Sequence, residues 1–402
     1  MDKAKASIPG TFGKVIALAL ATAMAAAAAQ SCKDDPTPEP EETQRTVIVY
    51  IAGDNNLSGE VNSKISALAE GFKNVDAGRN RLAVFADYRT DMPKLIEITA
   101  EGPVDVETYP SLDSADPENL KSVITGIAER YPAGSYGLIC FSHASGWLPQ
   151  GALSDPTGYG TDSSAESSPA TILQDGSDEM TLADFAGAIR LPGGQKYDFI
   201  ALEACYMAGI EVAYELKDAA DGLIASSAEI LSPGFESTYK EALYLLFEDE
   251  PDIAGFAKAY FDHWDSMQGA MRSATISAID LTLIGELAEE KGRLMDEGTY
   301  LISDPSGIQH FNRNHYHLFF DLTEYLEAVM GESKVQYMER YRSILDKAVM
   351  YSNATETFMS GYPYSFNIET SCGLTVYIMQ PDLGKLNSDY EHTSYYSEIL
   401  GN

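Results

Sequence analysis

Basic residues are scarce in this chain: 27 Lys and Arg stand against 61 Asp and Glu among 402 residues, a formal net charge of −34. Phosphate recognition wants clustered Lys and Arg, so the shortage argues against nucleic acid as a partner. It fits a solvated, self-repelling surface, on which particular carboxylates could still select cationic ligands. The shortage is sharpest between Arg130 and Arg190, where neither Lys nor Arg occurs. Also missing are a Gly-rich phosphate loop and a G-x-S-x-G elbow, which removes two familiar signals, for nucleotide hydrolysis and for serine hydrolases. There is no internal repeat, and beyond the first segment no apolar run long enough to span a bilayer.

That first segment reads as a targeting signal. Lys3, Lys5 and Lys14 precede an apolar, alanine-rich stretch that ends in Ala29-Gln30-Ser31-Cys32. The arrangement resembles a bacterial lipoprotein signal in which Cys32 becomes the lipidated first residue, although Ala29 stands where leucine is usual. The following Lys33-Asp34-Asp35 resembles the acidic export signal of surface lipoproteins. Residues 1–31 are therefore expected to be removed, and 32–45, rich in Pro and acid, to form a tether. The protein is expected at the outer membrane or cell surface, touching the membrane only through its lipid anchor. Besides Cys32 the chain carries Cys140, Cys205 and Cys372. An odd number in an exported protein leaves at least one thiol unpaired within the chain.

From Thr46 the pattern changes. Thr46–Ala52, Arg81–Asp87, Tyr136–Phe141, Tyr197–Leu202 and Gly222–Ser226 are short apolar runs of the kind buried on both faces of a sheet. Helical stretches at Val61–Phe72, Pro117–Tyr131 and Leu182–Ile189 separate them. This alternation predicts a mainly parallel α/β sheet covered on both faces, with ligands bound beyond the carboxyl ends of its strands. Residues 46–245 are taken as the core and 246–402 as a C-terminal α/β region packed on it, with strand-like runs at Ala274–Leu281 and Leu374–Met379. Residues 148–180 read as a long polar loop, a lid or a processed segment.

Two of the apolar runs lead into reactive residues. The third continues into Ser142-His143-Ala144-Ser145-Gly146-Trp147, the fourth into Glu203-Ala204-Cys205-Tyr206-Met207. If both strands share a sheet, His143 and Cys205 emerge on the same edge. An imidazole base and a helix amino terminus both favour the thiolate, and a helix is expected to begin straight after Cys205. A cysteine at a strand end is equally an ordinary small hydrophobe, and pattern alone leaves both readings open.

Three ordered motifs resemble the clostripain family of cysteine peptidases. Ala204-Cys205-Tyr206-Met207, followed by Glu211–Leu216, is similar to the family's D-A-C-L-M and E-V-A-Y-E-L; Ser142–Trp147 is similar to S-H-G-x-G-W; Tyr50–Leu57 is similar to the opening strand and its D-N-N-L turn. The resemblance implies a caspase- and gingipain-like fold, His143 as general acid/base and Cys205 as nucleophile. It implies cleavage of a protein or peptide after Arg or Lys through a thioester, with the backbone N–H groups of Ala144 and Cys205 as oxyanion donors. Chemistry of this kind requires no cofactor, and the family likeness leaves room for a structural calcium. Ala144 stands where the family has a glycine; if that position needs positive φ, the alanine Cβ costs strain there. Glu203 replaces an aspartate associated with the pocket for the basic side chain, and Glu229 is a second candidate for that pocket. Because the loop after His143 has no basic bond, maturation by a self-cut there is not expected. The rival readings are a catalytically impaired binding lipoprotein and a metal-dependent hydrolase using Asp54, Asp87 and Glu203. His310, His315 and His317 cluster without the Cys or carboxylate spacing of zinc sites.

Overall fold

A computed structural model describes residues 43–159, 172–297, 302, 304–332 and 334–401. The expected leader, Cys32, most of the tether and residues 160–171 of the long loop lie outside these. The strands are β1 (Arg45–Ile51), β2 (Asn80–Ala86), β3 (Lys94–Thr99), β4 (Gly102–Thr108), β5 (Ser135–Phe141), β6 (Ile172–Asp175), β7 (Asp178–Met180), β8 (Tyr197–Glu203), β9 (Ala220–Ala225), β10 (Thr275–Asp280), β11 (Phe320–Asp321) and β12 (Val349–Ala354), followed by shorter pairs. Nine of them form one sheet in the order β12-β10-β9-β8-β5-β1-β2-β3-β4. The inner block β9-β8-β5-β1-β2 is parallel. Antiparallel strands extend it on both sides, β10 and β12 beyond β9, β3 and β4 beyond β2.

The apolar runs are continuous because both faces of the inner strands are covered. Along β1, Ile48 and Tyr50 enter one core and Val47, Val49 and Ile51 the other. Helices Val61–Phe72, Glu236–Ala242 and Ile253–Asp265 cover the second face; Pro117–Arg130, Leu182–Ala188 and Ile210–Leu216 cover the first, together with Ile284–Glu297, Leu322–Met330 and Glu339–Ala348. Pro117–Arg130 starts with the Asp116 carboxylate accepting from the N–H groups of Glu118 and Asn119, which satisfies amides that have no partner inside the helix. The sheet runs through the expected boundary near residue 245, since β10 from the C-terminal region pairs with β9 and carries β12 on its outer side. Glu42–Asn402 is one compact unit. No helix among the described residues is long and apolar enough to cross a membrane.

Candidate active site

All five inner strands end at the same edge. The chain passes from β1 to β2 on one side and later returns to place β5 on the other, so the crevice between the carboxyl ends of β1 and β5 is the switch point where such sheets bind ligands. His143 lies there, two residues beyond Phe141. Behind it, the Ser142 hydroxyl donates to the carbonyl of Ala52 at 3.1 Å and accepts from the N–H of Gln174 at 3.0 Å. Asn55 fixes the turn after β1: its amide donates to the carbonyls of Ala52 and Gln174, and its Oδ1 accepts from Leu57 N–H. That turn presents Asn56, whose Oδ1 is hydrogen-bonded to His143 Nε2. With an acceptor facing Nε2, that nitrogen carries the proton and Nδ1 keeps its lone pair.

Cys205 leaves the adjacent strand at the matching level. Phe141 pairs with Glu203 in the β5–β8 ladder, so residues 143 and 205 both stand two positions past one shared rung. Strands lie about 4.8 Å apart, which brings the two chain exits side by side. His143 and Cys205 remain partly exposed while Ser142, Ala144, Ala204 and Tyr206 around them are buried. The turn after Cys205 is strained: Tyr206 has φ 63, tolerated because its N–H donates to Ala228 O at 3.0 Å and its ring stacks on Phe319 at 4.5 Å. Gly146 fits against this turn at φ +66, and a Cβ there would lie 2.9 Å from the Tyr206 carbonyl oxygen.

Two local expectations need correction. The helix does not begin straight after Cys205; it begins at Ile210, capped by Gly209, so the thiol does not sit on a helix amino terminus. Ala144 is not among the residues with positive φ, so its Cβ carries no left-handed strain. It is fully buried and forms an antiparallel bridge with Ile172 of the β6–β7 hairpin. The glycine requirement in this loop falls on Gly146 instead.

The electrostatics favour a neutral resting pair. Burial pushes the Cys205 thiol up to about 12, with the nearby Glu229 charge adding to the effect and the N–H of Ile230, 3.4 Å from Sγ, opposing it. Burial also lowers the imidazole of His143. At neutral pH the thiol holds its proton and the imidazole is uncharged. A thiol at pKa 12 is roughly 10⁻⁵ ionised at pH 7, against a few per cent for an ordinary cysteine. Carbamidomethylation of Cys205 by iodoacetamide, followed by peptide mass spectrometry, should therefore be about 10²-fold or more slower than for a free cysteine at pH 7. The rate should still be climbing with pH at about pH 9. A rate that levels off below about pH 8 would contradict the neutral pair.

Glu203 does not serve an open pocket. It is 2% exposed, and its Oε1 takes the Lys64 ammonium and the Phe235 N–H (2.6 Å) while Oε2 takes the Tyr239 hydroxyl (2.6 Å). Both carboxylate oxygens are thus used inside the fold, on the face covered by Val61–Phe72. Strand alternation puts Asp87 on the other face, near Ser114 and Asp175, where burial raises it to about 7. Asp54, Asp87 and Glu203 consequently do not converge on one cation. Among the described residues no set of three or more His, Cys, Asp or Glu side chains is arranged to hold a metal. His310 and His317 stack at 3.4 Å. Glu229 is the carboxylate beside the thiol, being the neighbour of Ile230, and the Arg313 guanidinium binds it through two bonds, Nε to Oε2 at 2.6 Å and Nη2 to Oε1 at 3.0 Å.

Lys64, Asn56 and Arg313 are the site's unanticipated members. Lys64 was signalled by its position, a lone charge in the apolar stripe Val61, Lys64, Ile65, Leu68. Asn56 read as a turn residue, and nothing near Arg313 in the sequence points to Glu229. Cys140, Cys205 and Cys372 are free thiols.

Comparison with known proteins agrees with this architecture. An inactive zymogen C11 protease from Parabacteroides distasonis superposes with TM-score 0.76 at 28% identity, over 90% of this chain and 99% of that one. A secreted C11 cysteine protease from Bacteroides thetaiotaomicron, solved with an irreversible peptide inhibitor, gives TM-score 0.75 at 25% identity over 89% and 99%. Clostripain from Hathewaya histolytica is 27% identical over 225 residues; the match spans 48% of this chain and 40% of that protein, less than half its length. The clostripain family model matches residues 49–400, from within β1 to the end of the last described turn. This chain, with its caspase-like sheet and the two strand exits described above, belongs to the clostripain family.

Proposed function

We propose that this chain is an exported cysteine endopeptidase that cleaves after Arg or Lys, with Cys205 as nucleophile and His143 as its base. The shared rung Phe141–Glu203 carries the reading, because it brings the only partly open residues of both turns out together. His143 Nδ1 takes the thiol proton as Sγ attacks the substrate carbonyl, so the high thiol pKa is met at the moment of attack instead of by a standing thiolate. The backbone N–H groups of Ala144 and Cys205 are proposed to hold the oxyanion. Collapse of the tetrahedral intermediate passes the proton from His143 to the leaving amine and leaves a thioester. Water, deprotonated by the same imidazole, then hydrolyses it and restores the thiol. Glu229 replaces Glu203 as the proposed carboxylate for the substrate's basic side chain. Cys32 is proposed as the lipid attachment point at the cell surface.

Fluorogenic peptides with Arg, Lys or a neutral residue before the scissile bond test this, with calcium added and withheld in parallel. Arg and Lys peptides should be cleaved at least about tenfold faster in kcat/KM than neutral ones. Equal rates would remove the basic preference. No cleavage of any peptide would favour the binding lipoprotein that has lost activity.

A further inference from the structure

Glu229 is already occupied. Its carboxylate holds the Arg313 guanidinium in a two-bond, fork-on-fork arrangement, the geometry by which a substrate arginine would bind it. Glu229 and Arg313 line a cavity of 320 Å³ together with Asn314, His315 and Tyr364. The loop that delivers Arg313 is fixed at several points. The Asn312 amide donates to Tyr316 O at 2.7 Å and its Oδ1 accepts from Leu318 N–H at 2.9 Å. Asn314 donates to Leu153 O at 3.0 Å, in the segment that follows His143. Both members of the ion pair are about a quarter exposed, 26% for Arg313 and 24% for Glu229. The pair keeps contact with solvent, so an incoming guanidinium or ammonium can reach the Glu229 carboxylate and replace Arg313 on it like for like.

We infer that Arg313 is a built-in competitor for the substrate's basic side chain, holding Glu229 until an incoming Arg or Lys displaces it. The inference rests on the assignment of Glu229 to the specificity pocket. Arg313 thereby sets how strongly the enzyme binds basic substrates. It acts on KM, because the contact must be broken before the Michaelis complex forms, and its removal leaves a partly hydrated carboxylate that fold stability tolerates. Scarcity of basic residues elsewhere makes this placement informative: one of 27 cations sits on Glu229, the carboxylate whose charge acts on the candidate nucleophile.

The test uses benzamidine as an amidinium probe, titrated calorimetrically into full-length Cys205→Ala protein, so that no turnover is needed. Arg313→Ala in that background should tighten benzamidine at least about tenfold, Arg313→Lys by less, and Glu229→Gln should abolish binding in either. Melting temperatures identify any variant that fails to fold, in which case Arg313→Gln replaces it. In parallel, with Cys205 intact, Arg313→Ala should lower KM for an Arg peptide about tenfold and raise the Arg-to-neutral ratio of kcat/KM. A benzamidine affinity within twofold of the parent overturns the competitor role. So does an intact-mass shift showing self-cleavage after Arg313, since an occupant that is cut is a substrate. Tighter benzamidine without any preference for Arg or Lys peptides supports the competition and sinks the proposed specificity instead, which separates the two failures.

Discussion

Cys205→Ala is expected to reduce kcat by roughly 10⁴-fold or more, the scale seen when a covalent nucleophile is deleted, with no compensating change in KM. The physical reason is that the substitution removes the only atom at this strand exit able to form the thioester. Cys140 is buried in the sheet, and the Cys372 thiol donates to Leu374 O at 3.2 Å, its pKa pushed up to about 12 by burial. Neither follows β8. Stability should change only modestly, because the Sγ packs at the margin of the core and accepts one weak amide contact, from Ile230 N–H at 3.4 Å. Kinetics of the variant on the Arg peptide, together with its melting curve, check both halves of the statement. Activity kept within about tenfold of the wild type would remove Cys205 from the chemistry. His143→Ala should produce a loss of similar size, and the double variant no further loss, because the two groups act as a unit.

The second large effect falls on stability. Lys64→Ala should cost roughly 3–5 kcal/mol, since it leaves the Glu203 carboxylate buried without its counter-charge. In a unit of this size that corresponds to a fall of about 5 °C in Tm. Burial already raises Glu203, with Lys64 the strongest opposing influence, so the variant's carboxyl should take up a proton more readily. The extra cost should therefore shrink as the pH is lowered, because the unfolded chain keeps its carboxylate charged where the folded variant does not. Lys64→Met combined with Glu203→Leu should recover much of the loss by removing both charges together. Urea unfolding at pH 5 and pH 8 measures all three. A single-variant loss below about 1 kcal/mol would show that the pair is not held in the interior. Activity should fall as well, because Glu203 ends β8 two residues before Cys205 and is tied down by Lys64, Phe235 and Tyr239. Gly234 makes that closure possible: it has φ +58, and a Cβ would stand 2.1 Å from Glu203 Oε1.

The buried strands were legible because each is a period-free apolar run, the pattern that two covered faces demand. Thr46–Ala52 is displaced by one residue from β1, and Tyr136–Phe141 starts one residue after β5 and ends with it. The flanking strands β3 and β4 were not anticipated. In β3 the buried Leu95, Ile96 and Ile98 are interrupted by half-exposed Lys94, Glu97 and Thr99, and β4, at the sheet edge, is mostly exposed, so neither forms a continuous apolar run. For the same reason Val349–Ala354, another edge strand, escaped notice. His143 and Cys205 could be singled out as residues that follow buried strands, and the three ordered motifs gave the family.

The parts played by the carboxylates were not accessible that way. Glu203 and Glu229 have the same chemistry and similar positions after strands. Which one faces solvent depends on sheet alternation and on what the opposite helix offers. Val61–Phe72 offers Lys64 to Glu203, and a loop 84 residues further along the chain offers Arg313 to Glu229. Amino-acid order alone determined that this protein would build a parallel sheet and carry a thiol and an imidazole at strand ends, because a continuous apolar run and the residue that follows it are local properties. Tertiary structure alone decided that those ends share a rung, that one acid is locked in the core, and that the other is covered by an arginine, because pairing across long sequence separations has no local signature.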